Sequence, residues 1–375
     1  MAGIYIHIPF CKSKCSYCDF YSKTDFSQRK ELIDCLIKEI HLQKNYIDEN
    51  VETIYFGGGT PSVLSSDELE RILSALEANF LIEEDAEITL EANPDDLTAE
   101  YLNALKLIKI NRLSIGVQSF DNKQLKAINR RHSSEAALTA VEVSKNNGFN
   151  NISIDLIFGL PEQDLASWKE QVNKAMYLDI QHLSAYGLMY EEGTPLWRKM
   201  KKGEVVPVDD ETSIAMYHYL VKTCVENGFE HYEISNFAKP DFRSRHNSAY
   251  WQEKTYLGIG PSAHSYNGIS RQWNISSISQ YCRKINQGET FYEKEILSLQ
   301  DKYNDFVMVS LRTMDGINLE ILQNRFGEKM YNHCLKSAEA FINNGKLAID
   351  KNFLRLTIDG VMTSDQIIVE LMYVS

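Results

Sequence analysis

The chain has no run of about 18 or more consecutive apolar residues, so no segment of it could cross a bilayer as a helix. It has no surplus of positive charge either. Against 39 Lys and Arg stand 52 Asp and Glu, a net charge of −13, which excludes the basic footprint of a nucleic-acid binder. The N-terminal apolar run is not expected to be a secretory leader: no basic region precedes it, and His7 and Pro9 interrupt it. Cysteines are few and odd in number, seven in 375 residues. That is no disulfide framework; reduced thiols in a cytoplasmic protein fit better. Repeats and low-complexity tracts are absent. With 43% hydrophobic and 24% charged residues, the chain is an ordinary globular one with a sizeable core. Its length suits two or three domains, or one large barrel with an appendage.

What the sequence does have is concentrated at its beginning. The strand-like run Gly3-Ile4-Tyr5-Ile6-His7-Ile8 ends at Pro9 and Phe10, and Cys11-x-x-x-Cys15-x-x-Cys18 follows at once. Three thiolates in one loop can hold three irons of a 4Fe–4S cluster and leave the fourth free for a ligand. Zinc would need a fourth ligand, and no second Cys pair at zinc spacing is present; His7 is better read as a structural histidine. Spacing i, i+4, i+7 is also one face of a helix, so three small buried residues are the plain alternative.

Up to about residue 190, short apolar runs alternate with longer amphipathic segments. Strands are expected at 3–8, 53–56, 87–91, 112–117, 152–157 and 182–188. Helices are expected at 28–46, 67–80 (capped by Ser65 or Ser66), 98–109, 133–147 and 164–178. Six such β/α units make an α/β fold with a parallel sheet, either open or curled into a barrel. Ligands in such folds bind where the strands end.

Distinctive residues fall at those ends. The second strand runs into Gly57-Gly58-Gly59-Thr60-Pro61, a patch stripped of side chains where backbone N–H groups can approach a ligand. Glu91 closes an apolar run, and Asp155 lies within another; both are costly there without a partner. Gln118 puts an amide at the same rim. Arg130 is either a solvated helix-end charge or an anion contact. One such residue is usually structural, but four successive strands ending this way exceed what core packing requires.

Beyond residue 190 the rhythm changes. A helix is expected from Asp209 to Asn227, stopped by Gly228, and an edge strand from Phe229 to Ile234. Arg245-His246-Asn247-Ser248-Ala249-Tyr250-Trp251 reads as a loop that sets a histidine beside two large aromatics. Imidazole and rings could serve an iron porphyrin, although packing is the commoner reason for such a trio. Gly258-Ile259-Gly260-Pro261-Ser262-Ala263 fits a dinucleotide fingerprint by letter only: it has no βαβ context, and it reads as a tight turn. His264 beside it is a second histidine candidate. Cys35, Cys224, Cys282 and Cys334 read as small core residues. From about residue 290 a separate module is expected, with helices at 293–314, 319–325 and 328–344 and a hairpin at 347–357. Its winged-helix look suggests DNA binding, which the acidic chain argues against.

The cysteine spacing, with Tyr17 just before Cys18, resembles the radical S-adenosylmethionine (SAM) superfamily. Tyr5-Ile6-His7-Ile8-Pro9-Phe10 narrows the resemblance to the oxygen-independent coproporphyrinogen III oxidase family. The His-Asn-x-x-Tyr-Trp segment resembles that of the family's haem-chaperone branch. The resemblance implies a partial (β/α)6 barrel, TIM-like, over 1–230, an extension carrying the haem motif over 231–290, and a small α+β, winged-helix-like C-terminal domain over 291–375 on the active-site side. It implies Cys11, Cys15 and Cys18 as cluster ligands and Tyr5, Tyr17, Gly58, Gly59, Thr60, Glu91, Gln118, Arg130 and Asp155 around SAM. His246 is implied as the ligand of haem carried as cargo. The partners expected are haem, haem-accepting proteins, a reductant for the cluster and, for the chain itself, a second copy in a homodimer. Three activities stay open: a haem chaperone, a coproporphyrinogen III oxidase that converts propionates to vinyls, and, more remotely, a radical methyltransferase or other SAM enzyme acting on haem or a porphyrin. The oxidases carry a further cysteine two residues after the third, where this chain has Phe20, and that favours the chaperone.

Overall fold

The computed structural model describes residues 2–374. Its first half is a regular succession: β1 (Ala2–Ile8), α1 (Arg29–Leu42), β2 (Val51–Gly58), α2 (Ser66–Asn79), β3 (Ile82–Ala92), α3 (Ala99–Leu107), β4 (Arg112–Gln118), α4 (Asn122–Ala127), α5 (Ser134–Asn146), β5 (Ile152–Phe158), α6 (Leu165–Tyr177) and β6 (His182–Gly187). Strands β1 to β6 are parallel and adjacent in chain order. The local reasons lie in the residues. In β1, Ile4, Ile6 and Ile8 are fully buried and alternate with Gly3, Tyr5 and His7. One face therefore packs on helices while the other carries the polar groups. Helix α2 starts where Ser65 and Glu68 close a reciprocal capping box. Glu91, Ser114, Asp155 and Tyr186, from β3, β4, β5 and β6, line the same cavity as Gly58 of β2. Only a curled sheet can do that, so this half is a partial (β/α)6 barrel.

The chain then adds strands to both edges of the barrel. After α7 (Pro195–Lys201) and α8 (Asp210–Glu226), β7 (Glu230–Glu233) and β8 (Asn236–Ala238) extend the sheet beyond β6. β7 forms the outer edge, as expected of that segment. The stretch expected as a loop around His246 is instead a short helix, α9 (Arg245–Trp251), capped by Ser244. Strands β9 (Tyr256–Ile259), β10 (His264–Tyr266) and β11 (Ser270–Asn274), helix α10 (Ile278–Gln287) and β12 (Tyr292–Ile296) follow. Strand β9 pairs in parallel with β1, so the first strand lies inside a twelve-stranded sheet.

The C-terminal module consists of α11 (Leu299–Arg312), β13 (Ile317–Asn318), α12 (Leu319–Asn343), β14 (Leu347–Asp350), β15 (Phe353–Leu356), α13 (Ile358–Val361) and α14 (Ser364–Leu371). Its strands form a small sheet in the order β13-β15-β14, a winged-helix-like arrangement. The expected helix over 293–314 begins only at Leu299. Ser298 and Asp301 cap it there, and Glu293, Lys294 and Glu295 before it are exposed side chains of the edge strand β12. The expected break between 325 and 328 is present at Gly327, at φ +79°. The module does not cover the cavity, whose lining ends at Glu191. It packs on α9 and β7: Arg312 stacks on Trp251 at 5.5 Å and pairs with Glu233 at 3.4 Å. Among the described residues no helix is long and apolar enough to cross a membrane.

Candidate functional site

A cavity of about 420 Å³ opens at the C-terminal ends of the barrel strands. Cys11, Cys15, Tyr17, Cys18, Gly58, Gly59, Thr60, Glu91, Gln118, Arg130 and Asp155 all line it. The structure thus gathers residues spread over 145 positions of sequence. Tyr5 and His246 lie elsewhere.

The cysteine loop is held at both ends. Cys11 N–H donates to the Lys23 carbonyl at 2.9 Å, and Lys23 N–H donates to Pro9 at 2.7 Å. Ser16 N–H reaches the Ile128 carbonyl at 3.0 Å, and Asn129 donates its side-chain amide to Lys14 at 2.8 Å, which ties the loop to the end of α4. Tyr17 packs on Ile128, Ile157 and Leu160. Thr60 Oγ1 donates to Cys11 Sγ at 3.4 Å, and Arg130 Nη1 to Cys15 Sγ at 3.3 Å. Burial pushes the Cys18 thiol up to about 11, with the neighbouring Cys15 and Cys11 adding to it. A bound metal centre would reverse that shift by favouring the thiolate.

Buried polar groups line the rest of the cavity. Glu91 accepts from Tyr55 OH at 2.8 Å, and burial raises its carboxyl to about 7. Burial likewise lifts Asp155 to about 6, against the pull of Arg112, Ser184, Arg130 and Ser114. Arg130 Nη2 donates to Asn93 Oδ1 at 2.8 Å and to the Gly116 carbonyl. Although burial opposes its charge, Tyr17, Cys15 and Asp155 hold its pKa above the ordinary value. Gly58 sits at φ +106°, and a Cβ there would come within 2.6 Å of the His7 ring, so the position admits only glycine. The backbone locks the glycine run to β1: Gly59 N–H donates to Ile8 at 2.9 Å and Thr60 N–H to Phe10 at 2.8 Å. Two buried donors, Asn93 Nδ2 and Arg130 Nε, have no protein partner. Buried donors of this kind call for a ligand's acceptors.

His246 occupies the opposite, N-terminal end of the barrel, carried inward by α9. It is 1% exposed. Its Nδ1 lies 2.8 Å from Thr53 Oγ1 and its Nε2 2.9 Å from Tyr250 OH. Its ring is stacked on Tyr55 at 5.0 Å. The N–H groups of Arg245 and His246 both donate to Glu87, at 3.2 and 3.1 Å, so a buried carboxylate meets the start of the helix. Burial drives the imidazole down to about 3, which keeps it neutral. Iron reaches either nitrogen only if Tyr250 or Thr53 lets go. Tyr5 stands between the two ends, stacked on Tyr55 and hydrogen-bonded to His7 Nδ1 at 3.1 Å. His264 is exposed on β10, stacked on Trp273.

Sequence reasoning passed over Asn93, Ser114, Arg131, Tyr186 and Met189, which also line the cavity. The signal for Ser114 was its alternation with Gly116 and Gln118 along β4, and Tyr186 shares its strand face with His182 and Ser184. Met189 lies past the last strand and has no such signal.

Known proteins resemble this chain along its whole length. Residues 5–175 match the radical SAM superfamily and residues 297–363 the HemN C-terminal domain. The heme chaperone HemW of Lactococcus lactis subsp. lactis is 36% identical over 95% of this chain and 93% of its own. That of Bacillus subtilis is 35% identical over 88% of each. The solved coproporphyrinogen III oxidase HemN of Escherichia coli, a radical SAM enzyme, superposes with a TM-score of 0.86 over 99% of this chain and 90% of its own, at 23% identity, a likeness of fold.

Proposed function

We propose a haem-carrying function from one premise: the chain belongs to the HemW family, within the radical SAM superfamily. It is a haem chaperone that binds haem and hands it to haem-requiring proteins. The observation that carries this is identity of 35–36% to relatives named heme chaperones, over nearly their whole lengths. Phe20, in place of a further cysteine, agrees with it and speaks against the oxidase.

Membership implies a 4Fe–4S cluster and SAM, and the cavity's residues fit both. Cys11, Cys15 and Cys18 would hold three irons. The unpartnered Asn93 and Arg130 donors, the glycine run, Gln118, Glu91 and Asp155 suit the carboxylate, amino and ribose groups of SAM. When bound, the cluster supplies an electron to SAM. Around it, Arg130 neutralises thiolate charge at Cys15, and Glu91 offers a carboxylate to the amino group. Tyr17 covers the apolar side.

The haem belongs, on this reading, to the segment of His246, Tyr250 and Trp251, with His246 as ligand once α9 has withdrawn from the barrel. Helix α9 is only seven residues long, and its withdrawal gives up the contacts of His246 with Thr53, Glu87 and Tyr55. We divide the chain accordingly into a barrel core (1–230), the extension bearing the haem segment (231–290) and the C-terminal module (291–375). A cytoplasmic location, a homodimer and a reductant for the cluster complete the proposal.

The test is an anaerobic haem titration of the cluster-reconstituted protein, followed by visible absorbance, with His246→Ala beside it. Saturable, stoichiometric binding is expected, with weaker affinity or a changed spectrum in the variant. No saturable binding to the wild type would refute the chaperone reading, and equal spectra would move the haem away from His246.

A further inference from the structure

We infer that His246 is a positioning residue for Glu91: through the ring of Tyr55 it sets where the carboxylate of the cavity stands. The inference rests on the proposed function only in naming the cavity's ligand as SAM.

The connection is continuous across the barrel. His246 is fixed by Thr53 at 2.8 Å on one nitrogen, Tyr250 at 2.9 Å on the other, and Glu87 at 3.1 Å on its backbone N–H. Its ring lies against Tyr55, centroids 5.0 Å apart and planes 23° from parallel. Tyr55 spends its hydroxyl on Glu91 Oε1 at 2.8 Å. Glu91 lines the cavity. Nothing in this column has slack. A Cβ at Gly57 would come within 2.9 Å of both the Tyr5 and Tyr55 rings and 3.2 Å of Glu91 Oε1. At the other end, a Cβ at Gly3 would come within 3.3 Å of the His246 ring. If His246 leaves, Tyr55 loses the nearer of its two ring neighbours, Tyr5 at 6.2 Å being the other. A tyrosine free to turn leaves the carboxylate to its other donor, the backbone N–H of Gly58, and orients it less firmly. The haem motif and the SAM cavity, at opposite ends of the barrel, then share one equilibrium. Withdrawal of α9 weakens SAM, and by linkage SAM favours the closed helix.

The experiment is calorimetric SAM titration of the full-length, cluster-reconstituted protein, without haem, so its outcome is independent of whether haem binds. Tyr55→Phe removes a hydrogen bond to a carboxylate and should weaken SAM about tenfold. His246→Gln keeps hydrogen-bonding groups but loses the stacked ring, and should weaken SAM roughly fivefold. His246→Phe keeps the ring and should stay within about twofold of wild type. In the Tyr55→Phe background, His246→Gln should add nothing, because both act on one carboxylate. Wild-type affinity in His246→Gln, or the same fivefold loss in both backgrounds, overturns the inference. If His246→Gln takes up no cluster, His246→Phe decides: near-wild-type affinity supports the role of the ring, and a loss as large as that of Tyr55→Phe refutes it.

Discussion

Replacing Glu39 by glutamine should change how stability depends on pH in a way that can be worked out from its surroundings. Glu39 lies on the buried face of α1 with no exposed surface. It accepts from Gly260 N–H at 2.7 Å, from Asn274 Nδ2 at 2.6 Å and from Tyr281 OH, and so joins α1 to the end of β9, to β11 and to α10. Burial outweighs these donors and lifts its carboxyl from 4.5 to about 7. An acid with a raised pKa in the fold contributes its full stability below the unfolded value. That contribution is lost as pH rises through about 7. Over the whole interval the loss is about 3 kcal/mol, and about 1.3 kcal/mol of it falls between pH 6 and 8. This window avoids the isoelectric point near 5.3, where the chain precipitates most readily. The glutamine in Glu39→Gln does not titrate, whereas wild type below about pH 7 holds a protonated, neutral carboxyl there, so the stability of wild type relative to the variant should be greatest at pH 6. By pH 8 this gap should have fallen by about 1.3 kcal/mol. Urea unfolding of both proteins, reconstituted and anaerobic, at pH 6, 7 and 8 measures the gap; taking the difference cancels the other titrating groups. A gap constant across the three pH values would refute the reasoning and mean that the three donors keep Glu39 ionised.

Two further outcomes follow from the cavity. Cys11→Ser, Cys15→Ser and Cys18→Ser should each abolish iron–sulfur absorbance after reconstitution, and retention in all three would remove the cluster from this loop. Gly58→Ala forces a Cβ to 2.6 Å from His7 at a φ of +106°. It should cost at least about 1–2 kcal/mol in urea unfolding and lower SAM affinity in calorimetry; an unchanged protein would show that the backbone there is not constrained.

The barrel was legible because its strands are long and its helices amphipathic. All six expected strands exist, with ends shifted by a few residues. The cavity was legible for a related reason. Glu91 and Asp155 interrupt apolar runs, and a polar residue in such a run must face either the barrel interior or a ligand. What lay outside reach was built from short pieces. Strands β8 and β10 have three residues each, too few for a period to appear, and β12 reads Tyr-Glu-Lys-Glu-Ile, which by composition is helix. The seven residues of α9 read as a loop on the same grounds. The burial of His246 had no local sign at all. It depends on Thr53, Glu87 and Tyr55, which are more than 150 positions away, and on a barrel whose inner face is polar. The alternation of Tyr5 and His7 with three isoleucines already carried that last fact, as a strand with one polar and one apolar face.

The parallel pairing of β9 with β1 also has a consequence for synthesis. Strand β1 leads into the cysteine loop, yet one of its edges is covered by residues 256–259, far later in the chain. For about 250 residues that edge stays open, at ordinary elongation rates roughly 10–50 s. An unpaired strand of alternating isoleucine is an invitation to the wrong partner. A nascent chain of this protein therefore has its cysteine loop ready long before it has a finished wall to set it in.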